Sequence, residues 1–199
     1  VIAVKPHDVP DACAAAVRAG ATRLLSIAAG VGVDALQEAA GPEVAVVRSM
    51  PNTPSLVGEG AAAICGGQTA GDDDLAWAES ILGSVGLVVR VPESQIDAVT
   101  GVAGSGPAYL FLVAEALIEA GVLAGLTRPT SEALVAQLFV GSAALLRERG
   151  RPADLRAMVT SPGGTTAAGL RVLEEHGVRS AFLEAVLAAA ARSAELGRH

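Results

Sequence analysis

Residues 160–170 read TSPGGTTAAGL. Gly163 and Gly164 carry no side chains, so backbone N–H groups there can approach a ligand closely. Thr165 and Thr166 open a helical pattern, and the N-terminus of a helix is a ready anion site. Such a loop could hold a carboxylate, while a threonine hydroxyl donates to, or accepts from, a nearby nitrogen. The same residues also suit an ordinary helix cap behind a glycine turn.

Two further glycine turns compete for attention. LLSIAAGVGVDA, residues 24–35, is a formal match to G-x-G-x-x-G/A, the turn that cradles a dinucleotide pyrophosphate. A true fingerprint follows the first strand of its fold, yet here a strand-like run and a helix come first. The next strand should also end in an acid, but VAVVRSM ends in Arg48 and Ser49, residues better suited to a 2′-phosphate. GSGPAY, residues 104–109, places Pro107 in the first turn of a long helix.

Thirteen of the 14 basic residues are Arg, and the one lysine, Lys5, ends the strand-like run VIAVK. Ligands of open α/β sheets collect at the carboxyl ends of strands, which favours a functional lysine there. His7, His176 and His199 have no ligand spacing, and Cys13 and Cys65 form no CxxC, so no metal is expected. The two thiols read as reduced, in a cytoplasmic protein. A net charge of −7 without a block of five like charges argues against nucleic acid and anionic membranes as partners.

Two kinds of element must position these residues. Over the first 95 residues, short apolar runs (VIAV, LLSIAA, VAVVRSM, AAAICGG and LVVRV) alternate with helical patterns. This implies an α/β domain with a mainly parallel sheet covered on both faces. From residue 96 to 199 the period is helical throughout, and several helices are apolar round most of their circumference. Helices of that kind must be buried on more than one side, which favours packing against a second copy of the chain. The expected division is therefore 1–95 and 96–199.

AVKP (3–6), SIAAGV (26–31), MPNTP (50–54), DAVTGVAGSGPAY (97–109) and TSPGGTTAAGL follow one another in that order. Together they resemble the pyrroline-5-carboxylate reductases, and PADLRAMVTSPGGTTAAGLRVLE (152–174) is similar to their signature. The resemblance implies a partial Rossmann-type domain, then a helical domain for substrate binding and dimerisation. It implies reduction of Δ1-pyrroline-5-carboxylate to L-proline with hydride from NADPH or NADH, and self-association as a dimer or a larger ring of dimers. Carried over by position, it makes Thr166 catalytic and puts Glu93, Ser105, Ser161, Gly163, Gly164, Thr165 and Thr166 at the substrate. Val4, Lys5, Ala29 and Asn52 fall near the dinucleotide. Met158 departs from relatives that carry a polar, cofactor-contacting residue there.

By the same resemblance the phosphate-binding turn precedes AVKP, so residues 24–35 border the cofactor without cradling it. The chain is then expected to be an N-terminally incomplete copy with weak affinity for NADPH. Two other readings compete. One is a related two-domain dehydrogenase, which needs a lysine or histidine acid/base in its helical half, where no lysine occurs. The other is a non-catalytic chain that only oligomerises.

Overall fold

The structure, a computed structural model, describes residues 1–197. His199, expected to take no part in metal binding, lies outside them. The chain divides into two compact units, one formed by Val1–Pro107 with the chain from Glu184 onward, the other by Ala108–Leu183. The change of sequence period near residue 95 does not coincide with this division. The helical residues 96–107 and 184–196 belong with the sheet, because they pack on it: Ile96 is buried with Ala63 and Cys65 of the sheet. The Ser193 hydroxyl also donates to Asp97 at 2.6 Å.

In the first unit, α1 (Val9–Arg18), α2 (Val33–Ala40) and α3 (Asp72–Leu82) alternate with β1 (Arg23–Ser26), β2 (Ala45–Met50), β3 (Gly60–Gly66) and β4 (Gly86–Arg90). The strands lie in sequence order. The β1–β2 and β3–β4 pairs are parallel, joined by the crossover helices α2 and α3. The β2–β3 pair is antiparallel, one antiparallel pair within a mainly parallel sheet. Its connection, residues 51–59, contains only a single-turn 3₁₀ segment at Thr53–Val57. A parallel crossover needs a dozen or more residues, so this stretch returns the chain as a long hairpin. VIAV contributes no full strand. Ile2 alone bridges β1, donating to Leu25 O at 2.7 Å and accepting from Ile27 N at 3.0 Å.

Side chains alternate across the strands, so both faces are filled. Leu24 and Val46 pack under α1 and α2 with Val9, Cys13 and Leu36. Leu25, Val47 and Ile64 pack under α3 with Ala78 and Leu82. Asp72, Asp73 and Asp74 give α3 an acidic first turn that suits its dipole, and Asp74 accepts from Gly71 N at 3.0 Å.

After β4 come α4 (Ile96–Val99) and a π turn at residues 100–104. Then follow α5 (Gly106–Leu123), α6 (Arg128–Arg149), α7 (Pro152–Met158), α8 (Thr165–Glu175) and α9 (Val178–Leu196). In the second unit, Ser131 of α6 is buried and donates to Ile118 O of α5 at 2.9 Å. Much of the apolar surface of α5 and α6 is uncovered in the single chain: Phe111, Leu112, Leu134, Leu138 and Val140 are all more than half exposed. Both helices are long and apolar enough to cross a membrane.

Candidate active site

The loop before α8 is built by its glycines. Thr160 closes the preceding turn, its hydroxyl donating to Arg156 O at 2.6 Å. Ser161 O then accepts from Gly164 N at 3.0 Å, a tight turn that Gly163 completes at φ 67, a left-handed conformation that favours glycine. Gly164 is the residue that caps α8. It has no side chain to satisfy the first N–H groups, and the first turn holds no acidic residue. The N–H groups of Thr165, Thr166 and Ala167 lie in the first turn, beyond the reach of intrahelical acceptors. They converge on the positive end of the helix dipole. Ser161, Gly163 and Thr165 are exposed, while Gly164 and Thr166 are half-buried. The loop therefore offers backbone donors and three hydroxyls to an anion. The simple capping role suggested for Thr166 does not apply, because the cap is Gly164 and Thr166 stands two positions inside the helix.

The other glycine turn has a different use. Gly30 takes φ 75 to bring the chain from β1 into α2, and Gly32 caps that helix in an extended conformation. The first N–H of α2, from Val33, donates to Glu93 Oε1 at 3.1 Å. The anion at this helix N-terminus is thus a carboxylate of the same chain. Arg48 Nη1 also donates to Glu93 Oε1, and the Cys65 thiol donates to Glu93 Oε2 at 2.8 Å.

The strand register explains the meeting. Arg48 of β2 and Cys65 of β3 are paired residues, so their side chains share the sheet face that α2 covers. Arg48 is 6% exposed and Ser49 1% exposed, which removes both from any solvent-borne 2′-phosphate. A charge buried in an apolar strand requires an opposite charge nearby, and the arginine in VAVVRSM was the sign that one would be found. Nothing in the local sequence identified Glu93, 45 residues on, as that partner.

Burial alone would raise the Glu93 carboxyl. The hydrogen bonds from Cys65 and the Val33 N–H, together with the Arg48 guanidinium, outweigh it and hold the group below its ordinary value. For Cys65, burial and then the hydrogen bond and charge of Glu93 push the thiol up to about 12, against the opposing effect of Arg48. Burial also raises Cys13. The thiolate is the reactive form, so neither cysteine should react with iodoacetamide in the native chain at pH 8. Both should be labelled after denaturation, and rapid native labelling of Cys65 would contradict this environment.

The remaining expected residues sit in the first unit. Val4, Lys5 and Ala29 are exposed just past the carboxyl ends of the Ile2 bridge and β1. Asn52 follows β2 and lines a cleft of about 550 Å³ with Ile27, Met50, Thr53, Leu82 and Gly104. Its Nδ2 donates to Ala103 O at 3.0 Å, and its Oδ1 accepts from Ala61 N at 2.8 Å. Ser105 is half-buried between the π turn and α5. Met158, at the end of α7, is 59% exposed.

Residues 93–196 match the family model described as pyrroline-5-carboxylate reductase dimerisation. A pyrroline-5-carboxylate reductase of Synechocystis is 49% identical over all of this chain, which spans 74% of that protein. The chain belongs to the pyrroline-5-carboxylate reductase family. A relative from Arabidopsis thaliana is 44% identical, with 88% of this chain and 63% of that protein covered. The structure of a pyrroline-5-carboxylate reductase from Coxiella burnetii superposes with a TM-score of 0.92 at 40% identity, covering 98% of this chain and 74% of that one. The Plasmodium falciparum pyrroline carboxylate reductase, with NADP bound, gives 0.86 at 35% identity, covering 98% and 79%. The chain joins a four-stranded sheet with crossover helices to the helical segment that the family's dimerisation model matches.

Proposed function

We propose that this chain reduces the C=N bond of Δ1-pyrroline-5-carboxylate to give L-proline, with NADPH or NADH as the reductant. The observation that carries this reading is the bare N-terminus of α8, capped by Gly164, in a chain of this family. The substrate carboxylate takes the free first-turn N–H groups of Thr165 and Thr166, with the Gly163 N–H and the Ser161 and Thr165 hydroxyls beside it, while the Gly164 N–H stays in the turn. The Thr166 hydroxyl hydrogen-bonds the ring nitrogen and follows its change from iminium to amine. A bond that strengthens as the reaction proceeds lowers the barrier. When bound, the nicotinamide supplies the hydride. A substrate that arrives as the iminium already holds the proton the product amine keeps, so no strong acid is required of the protein.

Val4, Lys5 and Ala29 fit the border of a dinucleotide site, since they are exposed at the carboxyl ends of neighbouring parallel segments. The turn at residues 30–35 does not fit the pyrophosphate, because Glu93 already holds the first N–H of α2. Ser105 and Glu93 are proposed as substrate-side residues of the first unit, and the reduced, buried thiols suit a cytoplasmic enzyme. Incubation of the purified chain with pyrroline-5-carboxylate and millimolar NADPH should yield one L-proline per NADPH oxidised. Absence of proline under those conditions would overturn the reading.

We further propose that the uncovered apolar faces of α5 and α6 are closed by a second copy, the first step toward a ring of dimers. The match to a dimerisation segment over these helices supports this. Light scattering at micromolar concentration should give at least twice the chain mass of 19.8 kDa. A particle of 19.8 kDa would contradict it.

A further inference from the structure

Asn52 spans two elements of the first unit with one side chain. Its Oδ1 is fixed by Ala61 N of β3, and its Nδ2 reaches Ala103 O in the π turn. That carbonyl has a specific need. Its α-helical donor would be the N–H of residue 107, which is Pro107 and has none. The turn is itself in π register, with Ser105 N donating to Thr100 O at 2.8 Å. Such single turns are rare and occur often beside functional sites. Met50 presses on the same turn. A Cβ on Gly104 would lie 2.6 Å from Met50 Cε, the flexible far end of that side chain, so the turn lies beside the end of β2. The two residues just past Ala103 and Gly104 are Ser105 and the first residue of α5.

We infer that Asn52 is a positioning residue, which straps the π turn to the sheet and thereby sets Ser105 for pyrroline-5-carboxylate. This rests on the reductase reading above. It differs from a cofactor contact, because the amide's two ends are engaged within the chain.

The test uses Asn52→Asp, which keeps the acceptor for Ala61 N but loses the donor to Ala103 O. It should lower kcat/KM for pyrroline-5-carboxylate, on the order of 10- to 100-fold as for a small misplacement of reacting groups, and leave the Kd for NADPH unchanged. Hydrogen exchange at residues 103–106 should be faster in Asn52→Asp than in the unmodified chain. A weakened NADPH Kd with kcat/KM for pyrroline-5-carboxylate intact at saturating NADPH would overturn the inference in favour of a cofactor contact. Lowered melting with unchanged kinetics and unchanged exchange would reduce Asn52 to a scaffold residue. If the unmodified chain yields no proline, the reductase reading falls, and exchange at 103–106 alone then decides whether the strap exists.

Discussion

Thr166→Ala should lower kcat/KM for pyrroline-5-carboxylate by about 10- to 100-fold while NADPH binding stays unchanged. In the proposed pose the hydroxyl donates to the lone pair that develops on a ring nitrogen still carrying part of its charge in the transition state, and losing a hydrogen bond to a charged group costs about 1.5–3 kcal/mol. Thr166→Ser should recover most of the activity. The structure sharpens the contrast with a purely structural role. Gly164 caps α8, and Thr166 lies in its first turn without capping it. Alanine is the better helix former by a few tenths of a kcal/mol, so the melting temperature of Thr166→Ala should hold or rise slightly. A fall in melting temperature with kinetics intact would make Thr166 part of the scaffold.

Glu93→Ala should destabilise the first unit by about 3 kcal/mol at pH 7. Removing one partner of a buried ion pair costs about 3–5 kcal/mol, because the remaining charge is left uncompensated. Arg48 is that charge, with its side chain 8% exposed, while the 36% exposure of Glu93 puts the loss at the low end. The change also removes the partner of the Val33 N–H and of the Cys65 thiol. The pH dependence has a definite sign. The Glu93 carboxyl is held below its ordinary value of 4.5 in the folded chain. Its contribution is therefore complete above about pH 4.5 and lost as pH falls through the lower, folded value. Denaturant melts of the unmodified chain and of Glu93→Gln should differ most near pH 7 and converge on acidification. A gap that widened toward low pH would contradict the ion pair.

The alternating pattern of the first 95 residues was legible because apolar strands and crossover helices have different periods. Which pair breaks the parallel run is a matter of spacing: residues 51–59 are too short for a parallel return, and their Pro51, Pro54 and Gly58 suit a turn. The loop before α8 was legible because its chemistry is local. Gly163, Gly164 and the two threonines form a turn and a helix start that neighbouring residues define. Glu93 was not legible in the same way. Alone it reads as a loop glutamate, and its partners Arg48, Cys65 and Val33 are brought to it by the β2–β3 register and the start of α2. The glycines at 30 and 32 were ambiguous for the same reason. A helix N-terminus accepts any anion, and only the fold reveals that the chain supplies its own.

A crystal structure of the chain grown with L-proline tests the proposed site most directly. The proline carboxylate should lie on the backbone N–H groups of Thr165 and Thr166 at the start of α8, with the ring nitrogen within hydrogen-bonding distance of the Thr166 hydroxyl. Proline bound with its carboxylate away from this loop, or with its nitrogen turned from Thr166, would contradict it.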